Sequence, residues 1–408
     1  MQALKGKSLL THAEREGYNK TALLNIKYLT RLLQHSIPKT PKNRGATNTA
    51  LALFDGSGAI LAESSIQEGT NGYLIGVKAV AEILIREVQK LLERCSLPKT
   101  TKLSALGACM SGFLEKGPQD ELIGYFNAAE NGPIASSYYI DNDSPGSIFT
   151  AAGGRGGCVI IAGTGCMSQL ITPSGETFSC NGHGHLIGDE GSAWFISNTV
   201  IRLVFRALDK FAESTEDPFL DLDTTKAREA MALHFGINVA AGEAYTAVMY
   251  ASLYGAGFNK SKIAGFTKSL ADLARSGDKL CAKVFELAGS HLGSFARTLA
   301  PYLRQPGNPD VFEFTIVCVG SVWKSWDLLS QGFIASATGT FHHLPNISRA
   351  DIMKMPSSER GHIASFRLVR LTKSSAYGAA WMASKRSGHT LPLNFDNNVE
   401  EIANYVSK

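Results

Sequence analysis

The sequence predicts an α/β protein of two domains, and three observations support this. Apolar runs typical of buried strands alternate with segments of helical periodicity along the chain. The chain has 408 residues, 44% of them hydrophobic and 19% charged, which favours two domains over one. A pattern of glycine turn, strand, tight turn and strand also occurs twice.

The first third of the chain contains both element types. Apolar residues recur at helical spacing in residues 23–34 and 77–95, so both segments are predicted to be helical. Pro38 then prevents the first of them from continuing. The remaining segments are predicted strands: a hairpin at 51–54 and 59–62, and two buried strands at 103–110 and 136–143.

The rest of the chain continues the alternation. The segment GCVIIAGTG, residues 157–165, is the clearest buried strand, and a long amphipathic helix follows at 192–211. Residues 223–305 are rich in helical patterns. Closer to the C-terminus, the sequence predicts a strand with a glycine turn at 314–323 and a strand, loop and helix at 361–388. A C-terminal helix is predicted at 390–408.

The repeated pattern places a threonine in each of two glycine turns. Thr47 precedes Gly58 by 11 residues, and Thr164 precedes Gly175 by the same 11. Glycine lets a backbone approach a phosphate, and a threonine hydroxyl adds a donor, so the pair predicts two phosphate-binding hairpins. Coincidence is the alternative, because glycine-containing hairpins are common. The chain has no GxxxxGK[ST] loop, so this is not a P-loop protein.

Composition excludes several classes of function. A net charge of +4 without long basic blocks argues against nucleic acid as a partner. No apolar stretch reaches the roughly 20 residues that span a bilayer. The seven cysteines are scattered without a CxxC pair, which suits a reducing, cytoplasmic setting. Residues 1–44 carry nine Lys or Arg and two acids, which is typical of a solvated arm or of a segment that does not belong to the working protein; a transit peptide is the further alternative.

A glycine-dense loop at 179–195 is the strongest candidate binding segment. It carries His183, His185 and Asp189, and a helix begins just after it. Asp189 could cap that helix or serve a site. The histidines could ligate a metal, although no cysteine or carboxylate stands beside them at ligand spacing.

Three polar residues on other loops are further candidates. Asp143 follows a predicted strand and precedes Ser-Pro-Gly, so it is either an ordinary turn residue or the carboxylate that a phosphotransferase uses as base. Asn71 and Ser111 are small polar groups of the kind that fix sugar hydroxyls. Trp323 and Trp326 follow a glycine turn and are more typical of a core than of ligand stacking.

Several motifs together resemble a known family. GHGHLIGDEGSAWFI, VCVGSVWKSW, KSSAYGAA and GTNGYLIG are similar to segments of the animal N-acetylglucosamine kinases. These belong to the BadF/BadG ATPase-like branch of the sugar kinase, Hsp70 and actin superfamily. The resemblance runs from about Gly45 to the C-terminus.

The resemblance implies a duplicated ribonuclease-H-like fold around a central cleft, usually in a homodimer. It implies transfer of the ATP γ-phosphate, with Mg²⁺, to the 6-hydroxyl of N-acetyl-D-glucosamine. The domains would be an atypical arm at 1–42 and a smaller N-terminal domain at 43–155. A larger C-terminal domain with a helical insertion would follow at 156–389, and a C-terminal helix at 390–408 would pack back on the N-terminal domain.

The resemblance also implies roles for individual residues. Asp143 would be the catalytic base. The sugar would be bound by Asn71, Ser111, Asp143, Asp189 and the loop Gly182, His183 and Gly184. The nucleotide would be bound by Thr47, Gly163, Thr164, Gly165, Ala264, Gly320 and Ser321, and no protein ligand to a metal is expected.

The chain departs from the family pattern in three places. His183 stands where the animal enzymes have tryptophan, and Asn181 replaces a glycine. The segment after Ser111-Gly112, FLEKGPQ, differs from the family's Gly-acid-Gln continuation. Before Thr47 the family has a strand and a carboxylate, whereas this chain has Asn-Arg-Gly-Ala preceded by a basic segment. The first strand is therefore expected to be missing or replaced.

Overall fold

The fold is described from a computed structural model of the chain. The structure describes residues 21–27, 48–211, 219, 221–239, 244–254, 257–303, 313–339, 363 and 365–406. These residues form two compact units. Unit 1 comprises 21–27, 48–154 and 372–398, and unit 2 comprises the described residues of 155–371 together with 399–406.

Eleven strands are formed by the described residues. They are β1 Thr21–Lys27, β2 Asn48–Phe54, β3 Ile60–Ile66, β4 Leu106–Cys109, β5 Tyr138–Asp141, β6 Gly157–Ala162, β7 Cys166–Ile171, β8 Thr177–Cys180, β9 Glu313–Val319, β10 Ser365–Leu371 and β11 Val399–Val406. Strands and helices alternate as the sequence predicts, and the hairpin of β2 and β3 is confirmed.

Twelve α-helices lie in the same described part of the chain. They are α1 Gly72–Ile75, α2 Val77–Arg94, α3 Lys116–Asn127, α4 Asp143–Ala152, α5 Ala193–Leu208, α6 Thr225–Phe235, α7 Tyr245–Leu253, α8 Lys260–Gly265, α9 Thr267–Arg275, α10 Lys279–Leu299, α11 Trp326–Ala337 and α12 Ala376–Arg386. The predicted helices at 77–95 and 192–211 correspond to α2 and α5. None of these helices combines the length and the apolar character needed to cross a bilayer.

Unit 1 contains a five-stranded sheet in the order β3-β2-β1-β4-β5. β3, β2 and β1 are antiparallel neighbours, while β1, β4 and β5 run parallel to one another. β1 therefore occupies the middle of the sheet, between β2 and β4. Of the two expectations for the first strand, missing or replaced, the structure has the second: residues 21–27 take its place.

The helical prediction for residues 23–34 is also wrong where the structure can test it. Residues 23–27 belong to β1, and the other predicted helical residues, 28–34, lie outside the described residues. A short apolar run fits a helix face and a buried strand equally well when only periodicity is considered. Pairing with β2 on one side and β4 on the other selects the strand here.

Unit 2 contains a six-stranded sheet in the order β11-β10-β9-β6-β7-β8. β6, β7 and β8 are antiparallel neighbours, and β6, β9 and β10 are parallel. These five strands repeat the order and directions of the sheet in unit 1. The predicted C-terminal helix at 390–408 is wrong, because the edge strand β11 forms there and pairs with β10.

Each unit has its own hydrophobic core. In unit 1, α2 and α3 pack on one face of the sheet, and α12 packs with Phe54 and Tyr139 on the other. A Cβ on Gly107 of β4 would lie 2.1 Å from the carbonyl oxygen of Ala379, so glycine permits this close approach of α12. In unit 2 the core joins the sheet to α5 and α10, and Trp323 lies within it, as predicted.

Candidate functional site

In unit 1, two parallel strands deliver polar side chains to the same end of the sheet. β4 leads to Ser111, and β5 leads to Asn142 and Asp143, where α4 begins. The hydroxyl of Ser111 donates a hydrogen bond to Oδ2 of Asp143 at 2.9 Å. Two residues that are 32 positions apart therefore form one group, because the carboxyl ends of neighbouring parallel strands meet at one sheet edge.

The local sequence explains why Asp143 starts a helix. The side chain of Asn142 accepts a hydrogen bond from the N–H of Ser144 at 2.9 Å and so caps α4. A carboxylate in the first helical turn is favoured by the helix dipole, which places Asp143 well. The helix itself is buried against α12, where a Cβ on Gly378 would lie 2.2 Å from the carbonyl oxygen of Gly146. This packing fixes the position of the carboxylate.

The loop that carries Asn71 joins the same group through the backbone. The N–H of Gly72 donates to the carbonyl oxygen of Ser111 at 3.1 Å. Gly112 has φ +93°, and a Cβ there would lie 2.8 Å from the nitrogen of Gly72. Asn71 itself is half-buried and caps the short helix α1 by accepting from the N–H of Tyr73 at 3.0 Å. Unit 1 thus brings together Asn71, Ser111 and Asp143.

A second carboxylate, Asp141, lies two residues before Asp143 in a different environment. Its oxygens accept from the hydroxyl of Tyr139 at 2.9 Å and from the N–H of Asn142 at 2.8 Å. Burial raises the pKa of Asp141, against the lowering effect of these hydrogen bonds and of the Arg386 guanidinium. Asp141 is therefore a structural carboxylate. Asp143 is the carboxylate that Ser111 contacts, and Ser111 in turn contacts the loop of Asn71.

In unit 2, the turn between β6 and β7 consists of Gly163, Thr164 and Gly165. The N–H of Gly163 donates to the carbonyl oxygen of Gly165 at 2.9 Å, which closes the turn, and the hydroxyl-bearing Thr164 is exposed at its tip. The N–H of Ala193, the first residue of α5, donates to the carbonyl oxygen of Gly163 at 2.8 Å. The turn is thereby held against the start of a helix, where anions are favoured.

Asp189 lies directly beneath this turn. It is 3% exposed, its Oδ1 accepts from the N–H of Cys166 at 2.9 Å, and a Cβ on Gly165 would lie only 2.8 Å from that oxygen. Asp189 does not cap α5, because the side chain of Ser192 does so by accepting from the N–H of Phe195. Asp189 also has φ +66°, which is uncommon for a residue other than glycine.

The second oxygen of Asp189 pairs with a lysine that the sequence analysis did not select. Nζ of Lys260, at the start of α8, lies 2.5 Å from Oδ2 of Asp189. The sequence contains one clue to Lys260, since this residue lies four positions before Ala264, which the resemblance assigns to nucleotide binding. Sequence periodicity gives no means of pairing residues 71 positions apart.

The glycine loop is tied to Asp189 through Asn181. Oδ1 of Asn181 accepts from the N–H of Gly182 at 2.7 Å and from the N–H of Asp189 at 3.2 Å. Gly182 and Gly184 have φ of +102° and +81°, so both positions favour glycine. His183 is exposed between them.

The other histidine of the loop packs among aromatic rings. His185 stacks on Phe258 at 5.1 Å and meets Trp194 edge-on at 4.7 Å. Burial lowers the pKa of His185, and the charge of Lys260 lowers it further. Across the described residues, no group of three His, Cys, Asp or Glu side chains could hold a metal ion.

The remaining nucleotide candidates fall into three groups. Gly320, with φ +107°, abuts the glycine turn: a Cβ there would lie 2.2 Å from the carbonyl oxygen of Ala162, and Ser321 follows it. Ala264 is buried in α8, the helix of Lys260. Thr47 lies outside the described residues.

A family model and two relatives match parts of this chain. A model of the BadF/BadG/BcrA/BcrD ATPase family matches residues 44–337. An N-acetylmuramic acid/N-acetylglucosamine kinase of Clostridium acetobutylicum is 29% identical over 140 residues, which are 34% of this chain and 40% of that protein. The N-acetyl-D-glucosamine kinase of Dictyostelium discoideum is 26% identical over 177 residues, which are 42% of this chain and 55% of that protein. The matches therefore span about half the length of these relatives or less.

A solved structure shares the fold. A protein of Chromobacterium violaceum, described as a candidate N-acetylglucosamine kinase, is similar with a TM-score of 0.55 at 17% identity. The similarity covers 89% of this chain and 98% of that one. At this identity the likeness concerns the fold alone. The chain has the α/β fold of the actin-like ATPase type that sugar kinases use.

Proposed function

Because the chain belongs to the BadF/BadG/BcrA/BcrD ATPase family, we propose that it is an ATP-dependent kinase that phosphorylates the 6-hydroxyl of N-acetyl-D-glucosamine. The observation that carries the proposal is the hydrogen bond from Ser111 to Asp143 at the sheet edge of unit 1. The names of the relatives from Clostridium acetobutylicum and Dictyostelium discoideum support the choice of an amino sugar.

Asp143 is suited to the role of general base. Its carboxylate is half-buried at the start of a helix, and Ser111 orients one oxygen at 2.9 Å. A base must be held within hydrogen-bond reach of the proton that it takes, and α4 supplies a rigid support for this. Asn71, brought alongside by the backbone hydrogen bond of Gly72, would bind another hydroxyl or the acetamido group of the sugar.

Unit 2 carries residues that fit a nucleotide. The turn of Gly163, Thr164 and Gly165 exposes a hydroxyl at the start of a helix, and no heavy atom lies within 4 Å of a Cβ built on Gly163, so there is room beside it. ATP would supply the phosphoryl group, and Mg²⁺, held chiefly by phosphate oxygens and water, would neutralise its charge. Gly320 borders the same turn, and Ser321 follows it in the chain.

The two sheets support a duplicated ribonuclease-H-like fold. β1 to β5 and β6 to β10 have the same order and the same directions. The turn of Gly163 to Gly165 joins the first two strands of its sheet, and residues 28–47, which include Thr47, join the first two strands of the other. This correspondence supports the assignment of Thr47 to a second phosphate hairpin.

The experiment is an assay of ATP-dependent phosphorylation of N-acetyl-D-glucosamine with Asp143→Asn as the test variant. We expect a loss of about 10²- to 10⁴-fold in kcat, the range for removal of a general base, with sugar affinity changed much less. Asp141→Asn is the matched control, since it removes a carboxylate two positions away and should leave kcat within a few-fold. Equal rates for Asp143→Asn and the wild type would refute the assignment of the base.

A non-catalytic amino-sugar-binding protein is the alternative, and one observation favours it. The family places a carboxylate at the first strand, whereas neither TALLNIK of β1 nor the four residues before Thr47 contain one. This alternative predicts that calorimetry detects N-acetyl-D-glucosamine binding while no phosphate is transferred. Measured turnover that Asp143→Asn abolishes would exclude it.

A further inference from the structure

We propose that Lys260 is the residue that makes the glycine turn of unit 2 able to accept the phosphates of a nucleotide, because it cancels the charge of Asp189 beneath the turn. The inference rests on the proposed function and adds a residue to it. It concerns unit 2 alone, since Gly165, Asp189 and Lys260 all belong to that unit.

The carboxylate of Asp189 lies close to the glycine turn. Oδ1 and Oδ2 of Asp189 lie 2.8 and 3.1 Å from a Cβ built on Gly165. A phosphate bound by the turn would therefore lie close to the buried carboxylate of Asp189. Uncompensated, that charge would repel the phosphate that the turn is shaped to bind.

Negative charge is in excess around Cys166, the residue after the turn. Burial raises the pKa of the Cys166 thiol well above its usual range, and the charges of Asp189 and Glu190 raise it further. Cys166 is the residue directly after the turn and donates its N–H to Asp189. Two acidic groups thus act on the same few residues that are expected to meet an anion.

The ammonium group of Lys260 lies beside both the carboxylate and the turn. Nζ of Lys260 lies 2.5 Å from Oδ2 of Asp189 and 3.1 Å from the Cβ position of Gly165, so it is next to both the carboxylate and the turn. An ammonium group has three donors, and within the described part of the chain Asp189 is its one hydrogen-bond partner. The Lys260 side chain is 27% exposed, whereas Asp189 is buried.

The experiment measures the affinity of Mg²⁺-ATP by calorimetry across a double-mutant cycle of Lys260→Met and Asp189→Asn. Lys260→Met should weaken binding by about ten-fold, an order-of-magnitude estimate for one unit charge near a bound phosphate. The double variant removes both charges and should return to within about three-fold of the wild type. AMP, which carries fewer charges, should respond less than ATP.

Lys262→Met is the matched control. Lys262 is in the same helix, is exposed and has its ammonium over the Phe235 ring at 5.5 Å, away from the turn. The same change of charge and side chain at this position should leave ATP affinity within about two-fold. A loss equal to that of Lys260→Met would reduce the effect to the overall charge of the protein and overturn the inference.

Asp189→Asn and the wild type provide two further tests of ATP binding. If Lys260→Met does not fold, Asp189→Asn should still bind ATP about ten-fold more tightly than the double variant, since the two differ only in the charge of Lys260. Equal affinities would overturn the inference while leaving the proposed kinase intact. A wild-type protein that binds no ATP would refute the proposed function itself.

Discussion

Asp143 in unit 1 and Asp189 in unit 2 are held in place by different physical means. Asp143 is half-buried, accepts from a neutral hydroxyl and lies at the start of a helix. Asp189 is 3% exposed, pairs with Lys260 and accepts from a backbone N–H. A carboxylate with access to water needs only orientation, whereas a buried one needs a compensating charge. The first arrangement suits a group that exchanges protons, and the second suits a fixed scaffold.

The largest effect that would test this contrast is on stability. Lys260→Met leaves the buried carboxylate of Asp189 without its partner and should lower the free energy of unfolding by about 3 kcal/mol. Ser111→Ala removes one hydrogen bond from a half-exposed group and should cost about 1 kcal/mol. Urea denaturation measures both. Equal losses would mean that the two carboxylates are held in the same way.

An intermediate effect is expected from the close approach of the turn to Asp189. Gly165→Ala places a methyl group 2.8 Å from Oδ1 of Asp189 and should lower the free energy of unfolding by about 1–3 kcal/mol. Gly163→Ala is the matched change in the same turn, where no heavy atom lies within 4 Å of the new methyl group. Thermal unfolding of the two variants should therefore differ. Similar melting temperatures would contradict the packing of Asp189 under the turn.

The smallest effect is a change in the titration of His185. Its pKa is lowered first by burial and then by the charge of Lys260, so folding favours the neutral ring, and the stability this contributes is lost as the pH falls through the folded-state pKa. Lys260→Met removes a positive charge and should raise that pKa toward the usual value for histidine. Titration of the imidazole protons by NMR measures the shift. An unchanged or lower pKa would argue against an ammonium group beside this loop.

Each unit has elements that the sequence predicts correctly and one element that it predicts wrongly. In unit 2 the strand at 157–165, the glycine turn and the helix at 192–211 were predicted, because each has a strong local pattern. In unit 1 the segment 23–34 was predicted to be a helix, and part of it is the strand β1. The C-terminal helix was wrong for a related reason, since β11 is a strand only by pairing with β10.

The candidate site shows the same division. Asp143, Ser111, Asp189 and the glycine turn were all selected from the sequence, as polar or glycine residues at the ends of predicted elements. Lys260 was not, because a lysine near the start of a helix is usually a solvated residue. Its significance depends on a carboxylate 71 positions earlier.

The sequence by itself determined the types of most elements, the glycine turn of unit 2 and the residues able to carry chemistry. These depend on periodicity and turn preferences, which act over a few residues. Only the tertiary structure decided that residues 21–27 form the central strand of unit 1, that Ser111 meets Asp143, and that Lys260 neutralises Asp189. Such contacts join distant parts of the chain, and their free energy comes from sheet pairing and from compensation of a buried charge, which no local pattern records.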